Sequence, residues 1–104
     1  MTFNEFKLSL SQNSPPKNLN DLLTALWYDA KAHPSANEAS WDKAHKITQD
    51  ISGKDAAWVH AYLHRKEGDS GNASYWYSRA GKPFSNKTLD EEWEEIVKVL
   101  LVEL

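Results

Sequence analysis

Apolar residues recur along most of this chain at separations of three and four, the period of a helix that turns one side to a core. The densest such run is Asp55 to Gly68. At about 100° per residue, Trp58, Val59, Tyr62 and Leu63 share one arc while Ala57, His60, Ala61 and His64 share the arc opposite. A helix apolar on both sides belongs in the middle of a bundle, so the chain is predicted to be organised around it. Ala57 and Ala61 are small enough to let a neighbouring backbone come close, with His60 and His64 flanking that contact one turn apart.

The flanking segments predict further helices. One starts at Asn20 or Asp21, carries Leu22, Leu23, Ala25, Leu26, Trp27 and Ala30, and ends at His33, which Pro34 pushes out of the helical region. After a loop over 35–39, Ser40 is expected to cap a helix whose narrow apolar face is Trp41, Ala44, Ile47 and Ile51, stopped by Ser52 and Gly53. Gly68 ends the central helix, and Asp69 caps the next, Ser70 to Ala80, with Ala73, Trp76, Tyr77 and Ala80 as its stripe. Thr88 and Glu91 have capping-box spacing ahead of a last helix that carries Leu89, Trp93, Ile96, Val97, Leu100, Leu101 and Leu104. Near the start, Phe3, Phe6, Leu8 and Leu10 fit either a frayed helix or an alternating strand, followed by turn-forming residues 11–18. The expectation is an N-terminal arm, 1–20, packing on one all-α domain, 21–104, an antiparallel bundle of about five helices.

Residues 55–83 resemble a tetratricopeptide-like helix pair. Ala61 stands at the small position of the first helix, Gly68 and Asp69 at the turn, and Ala73, Tyr77 and Ala80 at the second-helix positions. The chain departs from that pattern where Ala57 replaces a large aromatic, where His60 and His64 replace the leucine and tyrosine around the small residue, and where Pro83 comes early. A weaker likeness covers 21–51, and the final helix would then be the capping helix that such arrays need. The stretch from Trp41 to Pro83 is also similar to small stand-alone bacterial proteins of uncharacterised function, a likeness that brings no activity with it. The repeat resemblance implies a groove for a protein or peptide partner, lined by the central helix and the helix over 21–32.

Composition narrows the rest. The 104 residues suffice for one core. With no cysteine there is no disulfide, thiolate zinc site or cysteine nucleophile. Neither a signal pattern at the start nor an apolar run long enough for a membrane span is present, which makes the cytoplasm the expected location and a membrane no partner. The net charge of −3 gathers at the end, where six carboxylates face Lys87 and Lys98, and Arg65-Lys66 is the sole adjacent basic pair. Nucleic acid is therefore excluded as a partner. No nucleophile elbow or glycine-rich phosphate loop occurs, so no catalytic residue is assigned. Any acid–base chemistry would fall to His60 or His64 with Glu67 or Asp69.

Two ligand sites stand out. His60 and His64 at i and i+4, with His45 one helix away and Glu67 on their side, make three nitrogens and a carboxylate suited to zinc or another divalent ion. Alternatively Trp58, Tyr62, Tyr75, Trp76, Tyr77 and Arg79 crowd two helices as an aromatic wall with one guanidinium, suited to a small anion or planar ligand. Trp58, His60, His64, Tyr75 and Arg79 are its candidate binding residues. The same residues also serve a helical protein as ordinary packing and surface pairs. The expectation is a non-catalytic helical binding or interaction domain, monomer or homodimer. Its alternative is a metal- or small-ligand-binding protein, an enzyme included, built on His45, His60 and His64.

Overall fold

The computed structural model describes residues 1–31 and 38–103. Among them are six helices and no strand: α1 (Phe3–Ser9), α2 (Asp21–Ala30), α3 (Glu38–Gln49), α4 (Lys54–Glu67), α5 (Ser70–Ala80) and α6 (Leu89–Val102). α4 packs against α2, α3, α5 and α6, and every residue from Ala56 to His64 is buried. That is the interior position expected of a helix with apolar residues on both sides. Gly68 closes α4 at φ 89°, a conformation that costs glycine little, and Asp69 begins α5 by accepting the Asn72 N–H at 3.2 Å. α4 and α5 thereby form a hairpin across a two-residue turn. No helix among the described residues is long and apolar enough to cross a membrane.

The arm resolves into a helix. Thr2 accepts the Glu5 N–H at 3.1 Å and Glu5 accepts the Thr2 N–H at 2.8 Å, a capping box that holds α1 together. Phe6 is fully buried, and Phe3 and Phe6 each set their ring centroid 5.8 Å from that of Trp93 on α6. Ser9 accepts the Trp27 indole N–H at 3.1 Å, and the Lys31 ammonium donates to the Gln12 carbonyl at 2.8 Å and to the Leu10 carbonyl. The strand alternative for this segment is gone, because the reciprocal cap satisfies the first-turn donors that a strand would leave open.

α3 corrects a second expectation. Ser40 is not its cap but lies inside it, since Glu38 and Ala39 already belong to the helix. Alanine and glutamate are among the best helix formers, and they carry the helix N-terminally of the serine. Ile51 falls beyond α3, half-buried. His33, Pro34 and the loop residues up to Asn37 lie outside the described residues.

Two buried carboxylates fasten the helices together. Glu92 of α6 is 1% exposed and accepts from the Trp58 indole (3.1 Å), the Arg65 guanidinium (2.9 Å) and the Tyr77 hydroxyl (2.6 Å), joining α4, α5 and α6. Asp29 of α2 accepts the Lys66 ammonium of α4 at 2.9 Å, and both side chains are buried. The apolar stripe of α6, with Trp93, Ile96, Val97 and Leu100, is spent inside the chain against α1, α2 and α4.

Candidate metal centre

α3 and α4 bring three histidines together. His45 comes from α3, where Trp41 one turn earlier stacks on its ring with centroids 4.9 Å apart and 9° between planes. Trp41 is itself held by α4, its indole N–H donating to the Leu63 carbonyl at 2.8 Å. His60 and His64 come from α4, one turn apart as the spacing predicts, their rings stacked at 5.0 Å and 20°. The outer face of His60 is covered by Trp76 of α5 at 3.9 Å and 11°. Aromatic rings on both flanks leave the imidazoles few rotamers, so the cluster is built before any ligand arrives.

One nitrogen from each of the three rings lies within 4.8 Å of the others. The Nε2 atoms of His45 and His60 are 3.0 Å apart, so one ring donates to the other. His64 Nδ1 is 2.7 Å from Glu67 Oε1, which leaves Nε2 as the nitrogen that could serve a metal. Zinc–nitrogen bonds of about 2.0–2.1 Å at tetrahedral angles put ligand nitrogens about 3.3 Å apart. The His45–His60 pair needs only a small opening to reach that separation. A carboxylate on the far nitrogen of a ligand histidine is the usual orienting partner of such a site. Glu67 therefore sits behind His64, outside the group of three, and with Asp69 it forms a second group around His64.

The electrostatics disfavour the protonated form of His45 and His60. Burial, then the neighbouring His64, lowers the pKa of His45, against the opposing pull of Glu67 and Asp42. Burial, then His45 and His64, lowers that of His60 to about 4. A neutral imidazole is the form that offers a lone pair to a metal.

The aromatic wall expected of Trp58, Tyr75 and Arg79 is divided between two sides of α4. Arg79 and Trp76 line a cleft of about 340 Å³ with His60, and Tyr75 stands exposed beside them, its hydroxyl 3.4 Å from the Arg79 guanidinium. Trp58 faces the other way, bonded to Glu92 and covered by the Lys82 ammonium 4.1 Å from its ring centroid. Trp41 escaped the sequence reading as a site residue, although it precedes His45 by four. Trp76, expected in the aromatic wall, lies on the His60 ring.

No family model, curated protein or solved structure matches this chain.

Proposed function

We propose that this chain is a helical metal-binding domain that holds a divalent transition ion of the zinc type on His45, His60 and His64. The observation that carries the reading is the convergence of three ring nitrogens within 4.8 Å of one another, drawn from two helices and flanked by stacked tryptophans. Packing does not require three titratable rings to meet at one point, and burying them costs solvation that a bound cation returns. Three protein ligands also leave one position of a tetrahedral ion for water or another molecule.

The tetratricopeptide-like reading of the α4–α5 hairpin belongs to the same proposal. Supporting it are the burial of Ala61, Ala73, Tyr77 and Ala80 and the left-handed Gly68 at the turn. On this reading His60 and His64 stand where the repeat places packing residues, and the exchange serves ligation. The domain then acts by binding its ion, with no catalytic residue assigned.

The test is a zinc titration followed by the ring carbon–proton NMR signals of the histidines and by thermal melts. Signals of His45, His60 and His64 are expected to shift together and saturate at one equivalent. At a hundred times Kd, zinc adds about 2.7 kcal/mol of stability. The H60A and H64A variants should lose that increment. An unchanged spectrum at stoichiometric zinc would overturn the proposal.

A further inference from the structure

The cleft beside the histidines has a chemistry of its own. It is lined by His60, Ala57, Ile51, Trp76, Lys54 and Arg79 among others. Its apolar lining includes the small Ala57, Ile51 and the half-buried Trp76. Its rim carries two cations: the Arg79 guanidinium lies 5.7 Å from the Trp76 ring centroid, and Lys54 stands at the start of α4. Neither is ion-paired with a carboxylate among the described residues, whereas Arg65, Lys66, Lys87 and Lys98 all are.

His60 joins the cleft to the metal centre. It is 6% exposed, its Nε2 is engaged with His45, and its Nδ1 has no hydrogen-bond partner among the described residues. When Nε2 gives its lone pair to a metal, the ring proton must sit on Nδ1, and a coordinated cation makes that N–H a stronger donor.

We propose that this cleft binds a small organic carboxylate, its apolar body on Trp76 and its charge between Arg79, Lys54 and the His60 ring, cooperatively with the metal. The cooperativity rests on the metal reading above; the cleft's own residues supply the rest. A planar guanidinium suits a carboxylate through paired N–H donors, and a flat apolar body gains from the indole face. Linkage then requires the anion to tighten metal binding by the same factor that metal tightens the anion.

Benzoate is the probe, titrated into the intact chain with and without zinc, read by calorimetry and by the Trp76 indole N–H signal. Inorganic phosphate, which has charge but no apolar body, runs beside it. Benzoate is expected to bind at least about fivefold more tightly to the zinc-loaded protein, the lower end of usual coupling. It should bind better than phosphate and weaken about tenfold or more in R79Q, whose exposed side chain can be exchanged without touching the core. Zinc uptake with no benzoate response, or a response undiminished in R79Q, overturns this inference and leaves the metal reading standing. Failure of zinc to bind overturns the metal reading and the coupling together, and benzoate binding to the metal-free chain then decides the cleft alone.

Discussion

His60, buried beside His45 and His64, takes up a proton reluctantly, and that sets how stability depends on pH. The folded pKa of His60 is about 4, below its value of 6.5 in the unfolded chain, so the unfolded state binds the proton more readily between those pH values. The stability linked to this ring is complete above pH 6.5, falls as pH drops from there towards 4, and changes no further below. His45, shifted in the same direction, adds to the fall, while Glu67 and Asp42 oppose it at His45. Thermal melts from pH 7.5 to 4.5 in the absence of metal should show Tm falling by several degrees, with a shallower fall in H60L. A Tm constant across that range would contradict the lowered pKa of His60 and His45. At Glu92 the stakes are larger, because Arg65, Trp58 and Tyr77 all donate to one carboxylate that is 1% exposed. Glu92→Ala takes the carboxylate from the half-buried Arg65 guanidinium and strands the buried Trp58 and Tyr77 donors, and should cost about 3–5 kcal/mol in urea unfolding. Tyr77→Phe, which removes one donor and leaves the rest, should cost about 1–3 kcal/mol.

The helices of this chain begin and end on local signals, and two glycines show how those signals differ. Gly68 closes α4 at φ 89° with nothing within 4 Å of an added methyl group, so alanine there meets no clash and only backbone strain. Gly68→Ala should destabilise by about 1–2 kcal/mol. Gly71 has an ordinary helical backbone inside α5, and a methyl group there would meet only Asp69 Oδ1 at 3.9 Å, an ordinary contact. Gly71→Ala should stabilise by about 0.4–1 kcal/mol. Paired denaturant melts of the two variants check the opposite signs, and a loss of stability in both would mean that α5 starts elsewhere. α1 follows the same logic, since its Thr2–Glu5 cap was present in the sequence as a serine/threonine-to-glutamate spacing of three. Short length hid it, because α1 covers one end of α6 and has no second apolar turn to announce itself. α2, α4, α5 and α6 were legible for the converse reason, since each has several turns of apolar spacing and a side-chain or glycine cap at one end at least, and α3 was legible by its apolar face apart from its start.

Taken together, the helices make α4 the member that every other part of the core touches or depends on. Amide exchange should therefore be slowest from Val59 to Leu63 and faster in α1, which is fastened at one side only. Deleting residues 1–12 would uncover Trp93 and remove the acceptor of the Trp27 indole, and should lower Tm without unfolding α4 and α5. If that deletion left Tm unchanged, the arm would be an appendage and not part of the core.

Helical periodicity and caps follow from short-range chemistry, so the all-α class, five of the six described helices and the burial of the stretch around Ala61 could be read directly from residue order. The i, i+4 spacing of His60 and His64 likewise placed two rings on one side of one helix. That His45 meets His60 at 3.0 Å, that Trp76 covers the other face of His60, and that Trp58 turns away to Glu92 depend on how α3, α5 and α6 are rotated against α4. Rotation between helices is set by the sum of many side-chain contacts between segments far apart in the chain, and no local pattern encodes it.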